Sequence, residues 1–101
     1  MNVLKGILAE SKEHYLNVKS KIAKKLAGLP QGSIKERTIA GKVYYYLQHR
    51  AGSKVRHKYL GKNEPVDLLK QLNERKALKF ELKKVNESLR MLNRAEGRKH
   101  G

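Results

Sequence analysis

Cysteine is absent from this chain. That excludes disulfides, thiolate nucleophiles and thiolate metal sites, and it fits a reducing compartment. Tryptophan is absent too, phenylalanine occurs once and proline twice. With so few large side chains, 101 residues can build one domain at most, around a modest core. Long apolar runs are also missing. None approaches the roughly 18 residues that a membrane span needs. The opening stretch, MNVLKGILAESKEHY, lacks a basic n-region, a long h-region and a small-residue cleavage site. The expectation is a cytoplasmic protein with no membrane partner.

Acidic charge is the other scarcity. Nine Asp and Glu stand against 24 Lys and Arg, a net charge of +15. The excess is uneven, because residues 31–62 carry eight basic groups and one acidic group. Such an excess repels itself until an anion neutralises it, which points to nucleic acid as partner. The same scarcity argues against an enzyme. A metal-dependent nuclease needs several converging carboxylates, and the central stretch offers only Glu36. His14, His49, His57 and His100 share no metal-ligand spacing, and no phosphate loop is present. No catalysis, no cofactor and no metal are expected.

What is present reads as helix, sheet, helix. Leu4, Leu8, Ser11, Tyr15, Val18 and Ile22 recur at three and four residues, and Ile7 and Leu26 widen the stripe. This basic amphipathic helix should end near Gly28, with Pro30 just beyond. From Gly32 to Gly61 runs GSIKERTIAGKVYYYLQHRAGSKVRHKYLG, which holds all but one of the tyrosines. Its β-rich runs, Ser33–Ile39, Lys42–His49 and Ser53–Leu60, are too closely spaced for anything but antiparallel hairpins. A second helix should start after Pro65, suited by Glu64 and Asp67, and run to about Arg94. Its apolar residues fall in two phases: Leu68, Leu69 and Leu72, then Leu78, Leu82, Val85, Leu89 and Leu92. The first phase should cover the sheet. The second should pair with the first helix as an antiparallel hairpin, or with a second copy of the chain as a homodimer. Arg94 to Gly101 reads as a frayed basic tail.

The fold expectation is therefore α+β in the order α-β-β-β-α. Residues 1–28 form the first helix, 29–62 the sheet, and 63–101 the long helix with its tail.

Side-chain alternation constrains the register. A two-residue loop at Ala40-Gly41 places Arg37 by Tyr44, Lys35 by Tyr46 and Ile34 by Leu47. Ala40 suits a tight primed turn poorly, so a longer loop of equal parity stays open. For the second hairpin, a loop at Ala51-Gly52 would mix grease and charge on each face. A three-residue loop, Arg50-Ala51-Gly52, segregates them, pairing Leu47 with Val55, Tyr45 with His57 and Tyr46 with Arg56, so this register is the expectation. The inner face is then Ile34, Val43, Tyr45, Leu47, Val55 and Tyr59, with Glu36 and His57 at its edges. The outer face is Lys35, Arg37, Tyr44, Tyr46, Gln48, Lys54, Arg56 and Lys58.

Cations suit phosphates, and flat aromatic surfaces suit bases. A sheet can also enter the major groove of DNA. On that basis Arg37, Arg56 and Gln48 are candidates for base edges. Lys35, Arg50, Lys54 and Lys58 are candidates for phosphate, and Tyr44 and Tyr46 for stacking. A solvated face whose tyrosines only raise β-propensity is the plainer alternative.

The string G-S-I-x-x-R-x-I-x-G-K-x-Y-Y-Y-L-x-x-R-x-G-x-K-V-x-x-K-Y-L-G-K, Gly32 to Lys62, resembles a group of small, functionally uncharacterised prokaryotic proteins with the same core. The architecture looks like the three-stranded-sheet DNA-binding domains of the integrase amino-terminal and plant AP2 type, which lay a sheet in the major groove. The first likeness implies no known activity, and the second is one of architecture only; with the charge and the outer face, the expectation is a non-enzymatic DNA-binding protein, with DNA ahead of RNA. An adaptor acting through its helical stripes, or an RNA- or ribosome-associated protein, remains the alternative.

Overall fold

A computed structural model describes residues 3–97. The order is α1 (Val3–Ala27), β1 (Ser33–Ile39), β2 (Lys42–Ala51), β3 (Lys54–Gly61) and α2 (Val66–Gly97), the expected α-β-β-β-α arrangement. Among the described residues, no helix is long and apolar enough to cross a membrane. The chain divides into two compact units. One holds residues 1–28 and 77–101, and the other holds residues 29–76.

The helical unit is built on the three-four stripe. Ile22, Val85 and Leu89 are buried together, with Tyr15, Val18, Leu26, Leu78 and Leu82 packed around them. The second apolar phase of α2 thus pairs with α1 of the same chain. The Gly28 N–H donates to the Lys25 carbonyl at 3.2 Å, closing α1 where the sequence places its end. Lys12 Nζ lies 3.5 Å from Glu96 Oε2. That contact belongs to a helix running to Gly97, so Arg94–Gly97 are helical rather than frayed. The remainder of the expected tail, from Arg98, lies outside the described residues. At the other end of the stripe Leu4 and Ile7 are exposed.

The sheet unit holds the three strands in the order β1-β2-β3, all antiparallel. Leu72, from the first turns of α2, is its buried residue. Leu68 and Leu69 are half-buried, as are Ile34, Tyr45 and Leu47 on the sheet. The Pro65 carbonyl accepts the Leu69 N–H at 2.9 Å, the first bond of the α2 ladder. Arg75 Nη1 donates to the Leu29 carbonyl at 3.5 Å, tying α2 to the linker before β1.

The first hairpin has the expected register, Ile34 opposite Leu47, Lys35 opposite Tyr46 and Arg37 opposite Tyr44. Its loop is the two-residue Ala40-Gly41, with φ of 52° and 79°. Those are the signs of a type I′ turn, which matches strand twist and is here adopted despite the Ala40 Cβ.

The second hairpin differs from the expectation. Strand β2 continues through Arg50 to Ala51, which pairs with Lys54, and the loop is Gly52-Ser53. Gly52 has φ 66° at the first loop position, as a type II′ turn requires. The pairs become Tyr46 with Tyr59, Leu47 with Lys58, Gln48 with His57, His49 with Arg56 and Arg50 with Val55. A register of opposite parity sends every β3 side chain to the other face. Lys54, Arg56 and Lys58 therefore leave the face of Tyr44 and Tyr46, and Val55, His57 and Tyr59 join it. The segregation rule fails here for a physical reason. It has force where one face is buried, and no strand residue of this sheet is buried. Between Tyr45 and Tyr46 the register shifts, so that Tyr45 opposes Gly61 and Leu60 is unopposed, a bulge near the end of β3.

Candidate nucleic-acid interface

Alternation along the paired strands assembles one face from Lys35, Arg37 and Ile39 of β1, Lys42, Tyr44, Tyr46, Gln48 and Arg50 of β2, and Val55, His57 and Tyr59 of β3. Three tyrosines meet at its centre. The Tyr46 and Tyr59 ring centroids are 5.4 Å apart at 54°, and those of Tyr44 and Tyr59 are 6.3 Å apart at 47°. Both distances lie in the range where tilted aromatic pairs attract. The Arg37 guanidinium carbon sits 5.2 Å from the Tyr46 ring centroid, a diagonal cross-strand cation–π contact. Tyr44 and Tyr46 are half-buried, while Tyr59 is 53% and Ile39 54% exposed. The result is an aromatic floor open to solvent, edged by Lys35, Lys42 and Arg50.

Six of the nine residues expected at the site share this face: Lys35, Arg37, Tyr44, Tyr46, Gln48 and Arg50. Lys54, Arg56 and Lys58 stand on the reverse face with Ile34, Tyr45, Leu47 and His49. Tyr59 is the principal residue that the charge-segregating register misplaces, since it puts this side chain on the inner face. A signal for it is present in the sequence, because Gly-Ser between two β-rich runs is itself a two-residue hairpin loop. The reverse face is far from apolar, as Lys54, Arg56 and Lys58 are all exposed. The β2–β3 hairpin thus carries cations on both sides.

The chemistry such a face supports is stacking and charge pairing. Every base has a π-face, so aromatic platforms bind bases irrespective of sequence, and flanking cations neutralise phosphate. Among the described residues, no group of three or more His, Asp or Glu side chains could hold a metal ion.

Comparison with curated proteins returned no match, and neither did comparison with solved structures. One family model matches, over residues 12–71, a span running from within α1 through the whole sheet into the first turns of α2. It covers more than half of the chain, and the chain belongs to that family, described as a domain of unknown function (DUF6788).

Proposed function

We propose that this chain binds nucleic acid, DNA in preference to RNA, and catalyses no reaction. The observation that supports this reading is the tyrosine cluster on an open sheet face. Tyr59 is in ring contact with both Tyr44 and Tyr46, and Arg37 lies over Tyr46. The surrounding stretch, residues 31–62, has eight basic groups and one acidic group. Tyrosines that only raised β-propensity would not need an arginine stacked on them, nor a charge excess concentrated in the same residues. The preference for DNA rests on likeness of architecture alone, a three-stranded antiparallel sheet of the kind found in integrase amino-terminal and AP2 DNA-binding domains.

The test is binding of labelled duplex DNA, single-stranded DNA and structured RNA at low and high salt. Affinity should fall steeply with salt, as counterion release demands. The Arg37→Ala/Tyr44→Ala/Tyr46→Ala protein should lose about tenfold or more in affinity at fixed salt. The reverse-face variant Lys54→Gln/Arg56→Gln/Lys58→Gln should lose less. If the tyrosine-face variant bound like the unmodified protein, this face would not be the interface.

A second reading has its own observation. Val3, Leu4 and Ile7 are 73%, 60% and 53% exposed at the start of α1. That apolar end supports an adaptor that contacts protein. Salt-insensitive behaviour toward all three nucleic acids would favour it.

A further inference from the structure

We infer that this face takes a single unpaired nucleotide at a time, base and phosphate in separate recesses, and so prefers single-stranded to duplex nucleic acid. The inference rests on the nucleic-acid reading above and specifies its ligand.

Two concavities lie along β2, one on the tyrosine side and one at the β1 end of the sheet that also takes in Gln31 and Gly32 and reaches the reverse-face His49. One, of about 230 Å³, is lined by Ile39, Tyr44, Tyr46 and Tyr59. The other, of about 290 Å³, includes Ser33, Gln48 and Arg50 in its lining. The first is a base recess. Its walls are aromatic and aliphatic and carry no charge. The rings are tilted at 47° and 54° to Tyr59 instead of lying coplanar, so this open concavity offers both ring faces and ring edges. A flat heterocycle can lie on one ring and meet another edge-on, the two geometries that aromatic pairs favour. A duplex presents no free base face to such a surface, because its bases are stacked on their neighbours. A cationic guest is disfavoured by like charge, since Lys35, Arg37, Lys42 and Arg50 surround the floor.

The second recess suits phosphate. Arg50 supplies the charge, and the Ser33 hydroxyl and Gln48 amide supply neutral donors. Gln48 and Arg50 follow Tyr46 by two and four residues. At the rise of a strand that is about 7 and about 13 Å, the scale of a step to the neighbouring phosphate of an extended strand. The order of residues along one strand therefore sets a stacked base beside a held phosphate.

The experiment compares an oligothymidylate, an oligouridylate, an abasic oligodeoxynucleotide with the same number of phosphates, and a duplex of the same length. The readout is anisotropy of the labelled strand, together with tyrosine emission, which is free of tryptophan background in this chain. At least one base-bearing single strand should bind about tenfold or more tighter than the abasic strand, and tighter than the duplex, with quenched tyrosine emission. Thymidylate ahead of uridylate identifies DNA as the source, and the reverse identifies RNA. Tyr46→Leu should erase the difference between base-bearing and abasic strands, and Tyr46→Phe should keep it. Arg50→Gln should weaken all single strands together and flatten the salt dependence. Equal affinity for the abasic and base-bearing strands overturns the base recess but leaves phosphate-driven nucleic-acid binding intact. A preference for duplex overturns it in favour of groove docking. If no strand binds in a salt-sensitive way, the proposed function itself fails.

Discussion

Tyr46 stands opposite Tyr59 across β2 and β3, their ring centroids 5.4 Å apart. The pair exists because Gly52-Ser53 closes the hairpin. In the register that separates charge from grease, Tyr59 would sit on the reverse face beside Val43. A cross-strand aromatic pair contributes roughly 0.2–1 kcal/mol beyond alanine. On a sheet with no buried strand residue, that is comparable with what segregating the faces could supply.

This pairing makes Tyr46→Ala and Tyr59→Ala non-additive. In a double-mutant cycle by urea unfolding, their coupling should come to about 0.5–1 kcal/mol. Strict additivity would indicate that the two rings do not touch, and the register would be wrong.

Ala40 is the described non-glycine residue with positive φ, 52°, at the first position of a type I′ loop. An L-residue there is strained by roughly 1–2 kcal/mol, and asparagine tolerates the conformation best after glycine. Ala40→Asn should stabilise the sheet by about 0.5–1 kcal/mol, seen as a rise in thermal midpoint of a few degrees. A lower midpoint would mean that the first turn is not of this type.

Two glycines should respond oppositely to alanine. Gly6 lies inside α1, and a methyl group added there would have nothing within 4 Å of it, so Gly6→Ala should stabilise by about 0.5–1 kcal/mol. Gly32 has φ +123°, and a Cβ there would meet the Gln48 carbonyl oxygen at 2.6 Å and Leu47 Cδ1 at 3.0 Å. Gly32→Ala should cost about 2 kcal/mol or more, from backbone strain and a clash with a fixed strand. Calorimetry on the two variants checks both signs.

The helical unit should be sensitive only along its seam. Leu89→Ala removes a buried side chain from the Ile22–Val85–Leu89 cluster and should cost about 2–5 kcal/mol. Phe80 is 62% exposed, with Lys84 Nζ 4.7 Å from its ring centroid, so Phe80→Ala should cost no more than about 1 kcal/mol. Similar losses at both positions would show that Phe80 has a partner of its own.

Much of this fold is legible in the residues. The heptad-like steps of Tyr15, Val18, Ile22 and Leu26 on one helix, and of Leu78, Leu82, Val85 and Leu89 on the other, mark the seam directly. The first hairpin is legible too, because Ala40-Gly41 leaves room for one parity, and Ile34 with Leu47 agrees with it. The second hairpin is not. Gly52 allows a left-handed residue at either the end of a three-residue loop or the start of a two-residue one. The choice between them moves Tyr59, His57 and Val55 to the opposite face from where the charge pattern puts them.

Local steps of two, three and four residues, together with turn chemistry, were enough to set the order of elements, the pairing of the first hairpin, the charge excess and the placing of six of the nine candidate residues on one face. That Tyr59 completes the aromatic floor, and that Lys54, Arg56 and Lys58 lie behind it, was decided in three dimensions alone. It depends on which cross-strand neighbours meet. A sheet with no buried strand residue is governed by its turn and its ring contacts, because burial has too little weight to impose a single greasy face.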